Sequence, residues 1–173
     1  MQLPPFKGIA LLFFSLLCLS ACRSAIENPK FSRGVPHADP IVAAKNLFAD
    51  HYEFYHEDPT PRKALLTPRF FRVLKHNANA FKITGQVGVL DSDPWIDAQD
   101  GYISEPFIFE TLKNNTSVAI VRFYYTFTLG PKSSRPQSVL MKFQSSSTSA
   151  GWQLADFIMP NNESLVDLFE KNP

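Results

Sequence analysis

Residues 117–129 read SVAIVRFYYTFTL, and this stretch decides the fold class. Its odd positions are Ala119, Val121, Phe123, Tyr125, Phe127 and Leu129, while the even ones include Arg122, Tyr124, Thr126 and Thr128. Successive side chains of a strand point to opposite faces, so a period of two over this length predicts a strand with one well-buried face. Residues 139–144 repeat the pattern, with Val139, Met141 and Phe143 alternating with Leu140, Lys142 and Gln144. Two more strands are expected at 103–112, where Pro106 calls for an edge or a bulge, and at 152–159, which ends before Pro160. Asn114-Asn115 and the serine-rich residues 145–151 carry turn chemistry between them.

Upstream the period changes. Asp39-Pro40 offers an N-cap followed by a proline at the first helical position, where a missing N–H costs nothing. Behind it Ile41, Ala44, Phe48, Tyr52 and Tyr55 recur at spacings of three and four, which predicts a helix over 40–56. Thr60-Pro61 and Thr67-Pro68 repeat the device and predict a short helix at 61–66 and a longer one at 68–81. Near the far end Asn162 is expected to cap a helix in which Leu165, Leu168 and Phe169 share a face. Three helices, four consecutive strands and a short helix predict an α+β domain. Its three N-terminal helices would pack on a curved antiparallel four-stranded sheet, an arrangement that commonly encloses a conical pocket.

At the start of the chain Lys7 precedes the apolar run GIALLFFSLLCL at 8–19, too short to span a bilayer but of the length of a signal-peptide core. Leu19-Ser20-Ala21-Cys22 resembles the lipobox of bacterial lipoprotein precursors. That resemblance implies that residues 1–21 are a signal peptide, that cleavage precedes Cys22, and that Cys22 carries membrane lipid. Several acyl chains there give stable anchoring, since each buried methylene adds about 0.8 kcal/mol. Arg23 stands where an Asp would favour inner-membrane retention, so the expected location is the cell envelope, in the outer membrane facing the periplasm if the source is Gram-negative. Residues 22–38, mixed in Pro, Gly, Ser and charge, are the expected tether, and 39–173 a single domain. Cys18 and Cys22 are the two cysteines, which leaves the domain no disulfide.

Without Lys7 the chain holds 16 basic and 16 acidic side chains. No basic stripe marks it for nucleic acid, and export argues the same way. The 16 phenylalanines call for a thick aromatic core or an apolar cavity.

The most distinctive segment is DSDPWIDAQDG at 91–101. Asp93-Pro94-Trp95 with Ala98-Gln99-Asp100, the helix start Thr67-Pro68-Arg69-Phe70-Phe71, and Gly151-Trp152-Gln153-Leu154-Ala155-Asp156-Phe157 followed by Ser164-Leu165-Val166-Asp167-Leu168 resemble a bacterial domain family of unknown function. That family belongs to the nuclear-transport-factor-2-like (cystatin-like) superfamily. The resemblance implies a cone-shaped α+β fold and no established activity.

Asp93, Trp95, Asp97, Gln99 and Asp100 form a candidate functional loop. Asp91 and Asp93 open like the D-x-D of a calcium loop, but Trp95 stands at the next ligand and Gly101 is misplaced. The favoured expectation is structural, without a metal: Asp93 and Asp100 cap turns while Trp95 plugs the core. Enzymes of this superfamily use pocket carboxylates whose pKa is raised by desolvation. Asp100 and Asp156, with Tyr124 or Tyr125 as donors and Arg122 nearby, are the candidates for such a pocket. Against that, fold resemblance does not imply function, and Asp156 is expected to pair with Arg122 while the tyrosines pack. His51 and His56 lie five apart, and His37 and His76 have no partner at ligand spacing, so all four are expected at the surface.

No catalytic residue and no cofactor is therefore expected. The expected function is a non-catalytic binding or protein-interaction domain for an envelope protein or a small apolar ligand. Its alternatives are a pocket-carboxylate isomerase or hydrolase, and an immunity or inhibitor protein against an envelope toxin. Trp152, at the start of an alternating strand, is expected to be core, so that Trp152→Ala costs about 3–5 kcal/mol in a denaturant titration.

Overall fold

The computed structural model describes residues 36–84, 89–90, 92–131, 133–146 and 151–172. Cys22, the expected signal peptide at 1–21, most of the expected tether and Asp91 lie outside the described residues. The elements are α1 (Pro40–Asp50), a 3-10 helix (Thr60–Leu65), α2 (Pro68–Thr84), β1 (Tyr102–Asn114), β2 (Val118–Thr128), β3 (Ser134–Ser145), β4 (Trp152–Ile158) and α3 (Leu165–Lys171). The four strands form one antiparallel sheet in sequence order, the coarse α+β architecture that the alternating residues predict.

The period of two in β2 turns Ala119, Val121, Phe123, Tyr125 and Phe127 inward and buries all five. They pair with β3 in unbroken register, Val121 opposite Met141 and Phe123 opposite Val139. Beyond them β1 is an edge strand whose register shifts between Ser104 and Ile108, around Pro106, as a residue without an N–H requires. Gly101 turns the chain into β1 at φ 124°, and a Cβ there would stand 2.4 Å from the Phe127 ring. On β4, Leu154 and Phe157 are both buried although three residues apart. An irregularity opposite Lys142 and Phe143 resets the alternation between them.

Asp39 caps α1 by accepting the Ile41 N–H at 2.7 Å. The helix stops at Asp50, six residues short of the predicted end, although Phe54 and Tyr55 are still buried. The break falls at His51, whose φ of −138° and ψ of 35° leave the helical region, and the Phe54 N–H turns to the His51 carbonyl at 3.0 Å. Trp95 Nε1 donates to the Tyr52 carbonyl at 2.9 Å, which a continuing helix would offer to residue 56, and the His56 N–H turns instead to Glu53. The chain still curls inward, so the apolar spacing of a helix survives in a non-helical turn. Similarly, Asn162 is not the cap of α3: it holds a left-handed turn at φ 68°, and Ser164 accepts the Asp167 N–H at 3.1 Å.

Residues 36–38, expected to be tether, are fastened to the sheet. The Trp152 N–H donates to the His37 carbonyl at 2.9 Å and its indole N–H to the Ala38 carbonyl at 3.0 Å. Pro36 lies so close to Gly151 that a Cβ there would stand 2.6 Å from it. Trp152 is thus a half-buried clamp rather than core, and the indole sealed at 0 % exposure is that of Trp95.

The tightly packed core runs from Ala44 to Phe169, within the described residues. Urea titrations of a chain starting at Ser24 should therefore rank the tryptophans opposite to their sequence expectation. Trp95→Ala is expected to cost about 3–5 kcal/mol and Trp152→Ala about 1–2 kcal/mol. A Trp152 cost equal to that of Trp95 contradicts this assignment.

Candidate functional site

Residues 93–98 fold back on themselves through a bridge between Asp93 and Ala98, with the Asp97 N–H donating to the Asp93 carbonyl at 2.8 Å and Asp97 at φ 51°. Asp93 Oδ1 accepts the Trp95 N–H at 2.8 Å, the side-chain turn that a short carboxylate makes two residues before its donor. Its Oδ2 accepts the Tyr52 hydroxyl at 2.6 Å. Tyr125 donates to the Trp95 carbonyl, and Gln137 Nε2 to that of Ile96 at 2.8 Å. The contacts of Tyr52, Tyr125 and Gln137 hold the loop against the turn after α1 and the sheet, and the others close the loop on itself. The phenolic pKa values of Tyr52, Tyr55 and Tyr125 are all raised, first by burial and then by Asp93 through its hydrogen bond or its charge.

The five loop candidates thus divide. Asp93 and Trp95 point in and bind the structure together, while Asp97, Gln99 and Asp100 are exposed. The Asp97 carboxylate accepts from the Asn161 amide at 3.4 Å. The expected turn-capping role fits Asp93, but Asp100 stands in solvent. Among the described residues, no three of His, Cys, Asp and Glu converge as a metal site.

The interior expected as a conical pocket holds side chains. Trp95 stacks on Tyr52 with ring centroids 5.3 Å apart and meets Phe48, Phe54, Phe123 and Phe157 edge-on. The pocket candidates do not gather there, and Asp100 is in solvent. Arg122 and Tyr124, two apart on β2, share the outer face, where the guanidinium donates to the hydroxyl at 2.7 Å and the hydroxyl to Glu110 at 3.3 Å. Tyr125, one residue on, points to the opposite face. Asp156 pairs with Lys142 at 3.2 Å, not with Arg122, and also accepts the Ser164 hydroxyl at 2.9 Å. Consecutive positions on one strand cannot serve one pocket, and this much the period of two could have told.

Sequence reasoning missed the surface made by α2. A groove of about 680 Å³ runs between the 3-10 helix, α2 and Gln153 of β4, with Leu66 and Phe71 among its lining and Lys63 and Arg72 beside them. Lys63 lies over the Phe71 ring. From residue 59 to 84 the chain carries Arg62, Lys63, Arg69, Arg72, Lys75 and Lys82 and no acid at all, which leaves 11 basic against 16 acidic residues elsewhere. The balanced total hid an acid-free basic segment.

No family model, curated protein or solved structure matches this chain.

Two outcomes follow from the loop geometry. Asp93→Ala leaves the Trp95 N–H and the Tyr52 hydroxyl without their acceptor and is expected to cost about 2–4 kcal/mol, against about 0.5 kcal/mol or less for Asp100→Ala, in urea titrations. Because the tyrosine pKa values are raised on folding, the unfolded chain gives up phenolic protons first. Stability is therefore full below a pH of about 10 and declines above it. Tyr52→Phe should flatten that alkaline decline in pH-dependent melts; an unchanged slope in both Tyr52→Phe and Tyr125→Phe contradicts it.

Proposed function

We propose that this chain is an envelope lipoprotein, anchored through Cys22, whose body is a non-catalytic protein-interaction domain with the helix-on-sheet cone of the nuclear-transport-factor-2-like superfamily. The observation that carries the non-catalytic part is the filled interior: Trp95 and its aromatic neighbours occupy the space in which a pocket carboxylate would meet its substrate. Binding is then left to the exterior. There the solvent reaches Tyr102, Phe107, Ile108 and Leu112, all on β1, whose outer edge has no partner strand among the described residues. An edge strand with exposed apolar side chains is a template for an extended segment of a partner protein, which gains ladder hydrogen bonds as well as apolar contact.

The anchor is tested by expressing the full chain and its Cys22→Ser variant in a bacterial host. The native N-terminus should carry acyl chains by mass spectrometry, while the variant stays an unprocessed precursor. The interaction is tested by a photo-crosslinking residue at Ile108, with one at Lys142 as control. A discrete envelope-protein adduct from position 108 alone is expected. Turnover of a small substrate that Trp95→Ala alters, with no adduct at 108, overturns the non-catalytic reading.

A further inference from the structure

α2 buries Phe70, Leu74 and Ala78 along one stripe and leaves Arg72, His76 and Ile83 exposed away from it, Ile83 at 84 %, while Lys82, one turn beyond Ala78, is exposed where the stripe runs out at the end of the helix. Neighbouring elements answer part of the charge of residues 59–84. Arg62 meets Glu57 at 2.5 Å, Lys75 meets Asp58 at 3.0 Å, and Arg69 meets Glu170 at 2.6 Å. Among the described residues Lys63, Arg72 and Lys82 have no carboxylate at ion-pair distance, although Arg72 helps Arg69 to hold Glu170 below its ordinary pKa. The face therefore combines unanswered cations with apolar groups: Phe71 under the Lys63 ammonium, and Ile83 standing into solvent.

We propose that this face docks on an anionic phospholipid membrane, so that the body lies down on the bilayer that anchors it. The proposal rests on the lipid-anchor reading for its biological setting but makes a separate physical claim. Charge complementarity supplies the attraction, about fivefold in affinity for each basic side chain near an anionic surface. Ile83 supplies an apolar contact that neither a nucleic acid nor a purely acidic peptide would use, and long cationic side chains keep their heads at the headgroup level while their stems cover apolar surface. Reach is sufficient. The fourteen residue steps from Cys22 to Pro36 span at most about 50 Å, so a face anywhere on the body can turn to the membrane.

The test uses the unlipidated chain starting at Ser24, whose core is complete, and co-sedimentation with vesicles. Binding is expected to phosphatidylcholine vesicles containing about 30 % phosphatidylglycerol and not to pure phosphatidylcholine, and it should fade as NaCl rises from about 0.05 to 0.5 M. The triple variant Lys63→Glu, Arg72→Glu, Lys82→Glu should lose about a hundredfold in affinity. Lys63→Glu alone should weaken binding where Lys113→Glu, with the same net charge on β1, does not. Ile83→Asp should weaken it as well. All these side chains are solvent-exposed, and unchanged melting curves confirm that the variants fold. Equal binding to both vesicle types, binding that survives the triple reversal, or salt-sensitive capture of a duplex oligonucleotide without vesicle binding overturns the proposal. Because the fragment carries no lipid, a failure here leaves Cys22 acylation standing, and an unacylated Cys22 leaves the vesicle result standing.

Discussion

The indole of Trp95 is the constraint around which the rest is arranged. An indole carries a large apolar area and one N–H that must find an acceptor when buried. Here the acceptor is the Tyr52 carbonyl, in the turn that follows α1. The Trp95 carbonyl in turn binds Tyr125 on β2, and the preceding carboxylate, Asp93, fixes both its backbone N–H and the Tyr52 hydroxyl. One side chain thus pins the turn after the first helix, fixes how the loop re-enters the body, and occupies the space between helix and sheet. The aromatic rings packed on it give that space the density of a core.

Much of this was legible. The alternation of β2 and β3 gave an inward face that the structure reproduces from Ala119 to Phe127 and from Val139 to Phe143, although Leu129, expected on that face, lies past the end of β2 at 54 % exposure and Thr128 is buried; Pro106 marked an edge, and Asp39-Pro40 marked a helix start. The plug role of Trp95 and the turn role of Asp93 were also readable, because an apolar ring among short carboxylates has few other uses. What stayed hidden depends on partners far along the chain. The turn after α1 is pinned by a donor 43 residues away in sequence, and nothing local distinguishes Tyr52 in a helix from Tyr52 in a turn. The face of Asp156 is set by an irregularity that lets Leu154 and Phe157 both point inward. Trp152 looked like core because a strand tryptophan usually is, and only the arrival of residues 36–38 beside it explains its half-buried position.

Charge was misjudged for a related reason. A total near zero says nothing about segregation, and α2 needs acids from elsewhere to be held in place. It finds them in the turn before the 3-10 helix and on α3, where Arg69 grips Glu170 through Nε at 2.9 Å and Nη2 at 2.6 Å across 101 residues of sequence. Asp58 is held well below the carboxylate range, chiefly by the Thr60 hydroxyl and N–H and then by Lys75. The cations of α2 therefore divide into those that fasten neighbouring elements and those that face outward.

The fastening of residues 36–38 to β4 has a mechanical side. A pull arriving from the N-terminal direction meets the body at Pro36, where His37 and Ala38 hold Trp152 through two hydrogen bonds and Pro36 abuts Gly151. The load passes into β4, an edge strand of the sheet, before it reaches the Asp39 cap. A short strap of three residues thus acts as strain relief: the first turn of α1, held by a single capping carboxylate, is shielded from forces that would otherwise unwind it first.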